Sequence, residues 1–210
     1  VVVFLDVCWR LVLAGLFVAL FVLVNQWWVR VDIHVALNDG PVYEDPLYYQ
    51  TGYAVARGGV ESVPRPSKEK TALDQLLKTR DYLLPELPAP SADESWSVSV
   101  YGPLLLVGAV LALILPASRG RPWALLGISA VALALLFVQL VGGFPFADNL
   151  VRFNEACRTD GDLADPEGVY ATPPRLVLRV LSPPLLSLAL LAAACGVAAL
   201  GFRLAGRGGA

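Results

Sequence analysis

Methionine is absent from the sequence, histidine occurs once and cysteine three times. Each shortage closes a class of chemistry. With His34 alone, outside any apolar segment, the chain cannot ligate haem or chlorophyll through imidazole inside a span, nor build a multi-histidine copper or zinc site. Cys8, Cys157 and Cys195 fall near the start of the first apolar segment, in the last polar segment and inside the last apolar one. They supply neither a disulfide framework nor a redox dithiol. The missing Met at position 1 predicts a GTG-initiated bacterial reading frame or a chain lacking its first residues. The apolar opening reads as a retained helix, because it is long for a signal peptide, has no small-residue cleavage site and runs to a double Trp.

Charge is also scarce. Only 16% of residues are charged, 56% are hydrophobic and the mean hydropathy is +0.61, against about 25% charged and about 45–50% apolar in soluble domains. A soluble fold is excluded. Spanning a bilayer takes about 20 mostly apolar residues, and four segments qualify: 11–29, 98–116, 122–143 and 180–202. Trp9, Trp27, Trp28, Trp96 and Trp123 fall at their ends, as an interfacial aromatic belt requires. Arg179 precedes the last span, where a long cation can snorkel.

Orientation follows from the short connections. Arg10, Arg119, Arg121, Arg203 and Arg207 with Asp6 give one side a net charge of +4, while the two long polar segments total −6. Both termini are expected in the cytoplasm of a bacterial inner membrane, with the long segments outside.

The first outside segment, residues 30–97, is too long for a simple connection. Val29, Val31, Ile33, Val35 and Leu37 alternate with polar or small residues, the period of a half-buried strand. Asn38, Asp39 and Gly40 suit a turn, and residues 42–53 read as a returning strand that Pro46 confines to an edge or breaks. Ser67 is a candidate N-cap for an amphipathic helix over 67–84 carrying Leu73, Leu76, Leu77, Leu83 and Leu84 on one face. Trp96, Val98 and Val100 alternate with Ser95, Ser97 and Ser99, which predicts a strand leading into the second span and pairing with the strand that leaves the first. The second outside segment, 144–179, opens with a short helix over 148–157. Its Asp160, Asp162, Asp165 and Glu167 offer oxygen ligands for calcium without completing an EF-hand loop, and ordinary surface turns explain them better. Residues 175–182 read as a lead-in to the last span. The fold class expected is an all-α membrane protein with four transmembrane helices and a small strand-and-helix extracytoplasmic region between the first two.

Relays and substrate paths in membranes show as charged residues within spans; here the spans offer Asn25, Gln26, Gln139 and serines. Gln139 reads as an interhelical hydrogen bond, and Gly15, Gly108, Gly127, Ala130, Ala132 and residues 193–196 as close-packing positions. His34 reads as solvent-facing on its strand, and Asp6 with Arg10 as an i, i+4 pair. No serine–histidine–aspartate set or phosphate loop is present, and the negative outer surface argues against nucleic acid. No catalytic, cofactor-binding or metal-ligating residue is expected, and no cofactor.

Asn25, the strand reaching Ala36, Gly40, Pro41, Val42, Glu44, Asp45 and Pro46, followed by Tyr48, Tyr49, Gln50, Thr51 and Gly52, resemble the start of FixH-type proteins, accessory and assembly components of haem-copper oxidases. The resemblance covers residues 20–55 and implies an accessory role beside a respiratory complex, with no catalytic residue carried over. That family has one span where this chain has four. The four-span plan with a strand-bearing first loop also resembles the claudin-type architecture, without its paired loop cysteines or its Gly-Leu-Trp signature. The expected function is a non-catalytic accessory or assembly subunit of a respiratory or photosynthetic electron-transfer complex, with larger complex subunits and the lipid bilayer as partners. Trp27, Trp28, the strand of the first loop and the 73–84 face are the contact candidates. A small membrane enzyme or transporter using the acidic outer loops, and a self-associating tetraspan scaffold, are the alternatives.

Overall fold

The computed structural model describes residues 2–38, 42–58, 61–62, 95–116, 118, 120–144, 146–159 and 170–207. In chain order these form α1 (Val2–Val24), β1 (Trp27–Leu37), β2 (Val42–Thr51), α2 (Gly52–Arg57), β3 (Glu61–Ser62), α3 (Trp96–Ile114), α4 (Arg121–Gly142), α5 (Phe146–Thr159), β4 (Tyr170–Val180) and α6 (Ser182–Arg207). The described chain is mostly helical, and α1, α3, α4 and α6 are long and apolar enough to cross a membrane. The expected helix over 67–84 and the acidic stretch 160–167 lie outside the described residues.

The four long helices form a closed ring in which each packs on its neighbours in the chain and α1 packs on α6. They are apolar nearly all round, and their inward faces mix large and small side chains. Buried positions recur at helical spacing: Trp9, Leu13, Phe17, Leu20 and Val24 in α1, and Leu125, Ser129, Ala132, Leu136 and Gln139 in α4. Gly108 admits the Phe17 ring, since a Cβ there would sit 2.9 Å from it. Gly15, Gly127 and Gly196 meet no neighbour in this way, so only part of the small-residue set serves packing within the chain.

Two elements depart from expectation. Helix α1 starts at Val2 and stops at Val24, because Asp6 and Arg10 are accommodated inside it and Trp27–Leu37 has already become strand. Residues 96–100 are helix, not a strand leading into the second span. Their alternation is short, whereas Ser97, Tyr101, Leu105, Gly108 and Ala112 continue a buried helical stripe through α3.

The partner of β1 is instead β4, so the sheet order is β3-β2-β1-β4 and both long segments build it. All pairings are antiparallel. Pro46 does not break β2. A register irregularity lies beside it, between Val31 and Asp32, and among the described residues β3 pairs with Tyr48 and Tyr49 and no strand pairs with Pro46 on that side, where no N–H donor is needed.

The sheet is fixed to the ring by a compact joint. Asn25 Nδ2 donates to Phe21 O (3.1 Å) and Trp28 Nε1 to Leu23 O (2.8 Å), satisfying carbonyls at the end of α1. Trp28 is fully buried and meets Tyr101 of α3 edge-on at 6.2 Å. Helix α2, N-capped by Thr51 and ended by Gly58 at φ 70°, accepts Ser99 Oγ on Ala56 O (2.9 Å). On the other side of β1, Leu181 N donates to Trp28 O (2.8 Å) as β4 turns into α6. Trp28 and Trp9 are therefore core anchors rather than members of an interfacial belt, while Trp27, Trp96 and Trp123 are exposed.

Candidate functional site

Alternation on β1 sends Val29, Val31 and Ile33 to one face and Arg30, Asp32 and His34 to the other. The first set is buried, as an apolar face should be, but Asp32 is also fully buried. An ionised carboxylate removed from water needs opposite charge close by, and two arginines provide it. Arg30 Nε lies 2.7 Å from Asp32 Oδ1, and its Nη2 donates to Oδ2 at 2.8 Å. Arg179 comes from β4, where it is the cross-strand partner of Arg30, and its Nε lies 2.9 Å from Asp32 Oδ2. The same guanidinium pairs through Nη2 with Glu44 Oε1 on β2. His34 Nε2 stands 3.7 Å from that oxygen. Three strands thus meet in one ionic lattice, and the hydrogen bond to Asp32 holds the Arg30 guanidinium above its ordinary pKa.

The ligand-type atoms of Asp32, His34 and Glu44 lie within 4.8 Å of one another, a spacing a metal ion could bridge. Both oxygens of Asp32 already face guanidiniums, however, and Glu44 shares Arg179 with it. A divalent cation would have to displace two permanent positive charges, so the cluster as built is an ion-pair lattice. Each carboxylate of the cluster faces an arginine, which leaves His34, whose Nε2 makes no hydrogen bond among the described residues, as its one member with a free proton acceptor. The cluster's chemical capacity is to lock three strands in register and to present charge at a sheet face.

The outer edge of β4 is plugged. Asn154 of α5 donates from Nδ2 to Leu176 O (2.9 Å) and accepts Leu176 N–H on Oδ1 (2.7 Å). One side-chain amide thereby takes the place of a further strand at the edge. Leu150, Phe153 and Cys157 form the buried stripe of the same helix, and burial raises the Cys157 thiol pKa.

Inside the ring a polar cluster joins α3 to α4. Gln139 Oε1 accepts Ser97 Oγ at 2.8 Å and also Ser95 Oγ, while Gln139 Nε2 donates to Gly143 O at 2.7 Å. This is the interhelical bond the sequence predicts. At the opposite end of the ring Asp6 pairs with Arg10 at 2.9 Å, as expected, and also with Arg121, whose guanidinium lies 4.9 Å from the Trp9 ring.

Several sequence expectations need correction on this geometry. His34 is not solvent-facing: its side chain is only 19% exposed and stands beside Glu44. Arg179 does not snorkel but closes the lattice. Trp28 offers no contact surface, whereas Trp27 does, stacked on Tyr49 at 4.2 Å. The roles of Arg30, Asp32, Glu44 and Asn154 were missed. The signal available for the lattice was the alternation of Arg175, Val177 and Arg179 with Leu176, Leu178 and Val180, a strand period hidden in the lead-in to the last span.

The chain matches no protein-family model and no curated protein.

Proposed function

We propose that this chain is a non-catalytic accessory or assembly subunit of a larger electron-transfer complex in the bacterial inner membrane, with both termini cytoplasmic and the sheet outside. The observation that carries the non-catalytic reading is that polar side chains of the helix ring bond within the chain. Arg121 pairs with Asp6 and Ser97 with Gln139, while Ser129 and Ser187 donate to carbonyls of their own helices. The outward faces keep Leu11, Val18, Val22, Val110, Phe137, Val141 and Leu185 exposed, surfaces suited to lipid or to neighbouring apolar helices. A transporter would keep charged groups facing a path through the ring.

The electron-transfer assignment rests on the FixH-type resemblance over residues 20–55. The segment Tyr48, Tyr49, Gln50, Thr51 and Gly52 in that stretch has a clear mechanical role. It ends β2, places the Thr51 N-cap and sets Gly52 against Trp28, where a Cβ would fall 2.6 Å from the indole. A joint of this kind holds a docking surface at a defined attitude to the membrane. The claudin-type resemblance leads to a second reading, a self-associating scaffold. Asn154, which occupies the β4 edge, weighs against strand-to-strand association there.

The deciding experiment is purification of the tagged chain in mild detergent, with an absorption spectrum and mass spectrometry of what accompanies it. Large subunits in fixed ratio with haem or chlorophyll bands are expected. A colourless chain that runs alone overturns the complex-subunit reading, and one that runs as a homo-oligomer favours the scaffold.

A further inference from the structure

On the sheet side of the ring, a groove of about 480 Å³ opens between α1 and α3 beneath α2. Its floor is apolar, formed by Phe21, Val98, Gly102 and Leu106, and its outer end is polar, with Asn25 and Arg57. We infer that this groove binds a phospholipid, with an acyl chain along Phe21, Val98 and Leu106 and an anionic headgroup phosphate at Arg57. The inference needs the long helices to lie in a bilayer, but it does not need the complex-subunit reading.

Three observations favour this occupant. Arg57 is exposed, its guanidinium carbon lies 4.5 Å from the Tyr53 ring centroid, and among the described residues no carboxylate pairs with it. It ends α2 beside Val24 and Asn25, where α1 leaves its apolar run, so the cation stands at headgroup depth over an apolar cleft. The arrangement matches a phosphate joined to a hydrocarbon tail. Second, Pro103 of α3 brings no N–H to the Ser99 carbonyl. Both residues line the groove, which leaves an acceptor near its polar end for a headgroup hydroxyl. Third, Gly102 removes a side chain where the cleft deepens: a Cβ there meets no atom within 4 Å.

The test uses the full chain reconstituted in nanodiscs of equal phosphatidylglycerol and phosphatidylcholine, released into mild detergent and weighed by native mass spectrometry. Wild type should retain one phospholipid with about fivefold preference for phosphatidylglycerol, the scale of one interfacial arginine. Arg57→Gln should keep a lipid and lose the preference, while Arg57→Lys retains it. Gly102→Leu, a change that raises helix propensity, should lose the retained lipid with helical content unchanged by circular dichroism. Arg152→Gln, an exposed charge change on α5, should behave as wild type. Wild type without retained lipid, or with no headgroup preference, overturns the inference. So does Gly102→Leu that keeps its lipid but sheds a polypeptide co-purified from native membranes, because the groove then holds a protein segment.

Discussion

At the sheet end Asp32 lies between Arg30 and Arg179, and at the end holding the termini Asp6 lies between Arg10 and Arg121. The parallel extends to the aromatics. Trp28 covers Gly52 and donates its indole N–H to Leu23 O, while Trp9 covers Gly201 and donates to Val197 O at 2.6 Å. Both ends are therefore closed by one carboxylate shared between two guanidiniums and one indole seated on a glycine. They differ in burial and in charge. Asp32 is fully buried and its lattice, with Glu44, balances to zero, whereas the Asp6 side chain is 21% exposed and its cluster keeps one positive charge. Neutrality suits a lattice that must hold strands together, and residual positive charge suits the end proposed as cytoplasmic.

The largest effect should come from neutralising the two carboxylates separately. Asp32→Asn leaves two arginines facing a neutral amide and should cost about 2–3 kcal/mol. That is below the ~3–5 kcal/mol of fully buried pairs, because both guanidiniums are partly exposed. Asp6→Asn should cost less, about 1–2 kcal/mol, because Asp6 and Arg10 are partly exposed although Arg121 is buried. Unfolding midpoints in one detergent measure both, and equal losses would show that burial does not separate the two ends. Replacing Asp32, Arg30 and Arg179 together by apolar residues should recover most of the loss.

The glycines come next. Gly52→Ala would place a Cβ 2.6 Å from the Trp28 ring and 2.8 Å from the backbone oxygen of Val24, whereas Gly201→Ala meets only side chains of Trp9 and Pro122. Gly52→Ala should cost about 2–3 kcal/mol and Gly201→Ala about 1 kcal/mol, within the range for overpacked sites. Trp28 fluorescence in a chain lacking the other tryptophans should shift only for the first. Asn154→Ala should cost about 1 kcal/mol and speed amide exchange at Leu176, which distinguishes loss of the edge plug from a general weakening of the sheet. Gln139→Leu should cost least, about 0.6 kcal/mol, the average for hydrogen bonds between membrane helices.

What could be read from the sequence tracks the reach of each interaction along the chain. Strand β1 and the apolar runs declare themselves by local period, and α5 by its short helical stripe. The N-terminal extent of α1 does not, because the charges that mark a span's edge, Asp6 and Arg10, are balanced by Arg121, 115 residues away. Strand β4 carried the correct alternation, but the proline pair at 173–174 and the following span made it read as a connection. The Ser-rich alternation at 95–100 misled in the opposite sense, since six residues fit a strand period while the hydroxyls of Ser95 and Ser97 are aimed at Gln139 across the ring. The ionic lattice was illegible for a related reason: its members come from three strands whose register becomes known only when β4 is placed beside β1.

Only Asn25 and Gln26 separate α1 from β1, and only Leu181 separates β4 from α6. Strands β1 and β4 are thus rigid continuations of two adjacent helices, with no hinge length on either side. Eleven residues of β1 at about 3.3 Å each make a strand roughly 35 Å long that starts at the helix ring. The sheet therefore acts as a gauge of fixed height. A partner that docks at its far end must present its own surface at that height, and a pull on the sheet is delivered to α1 and α6 together.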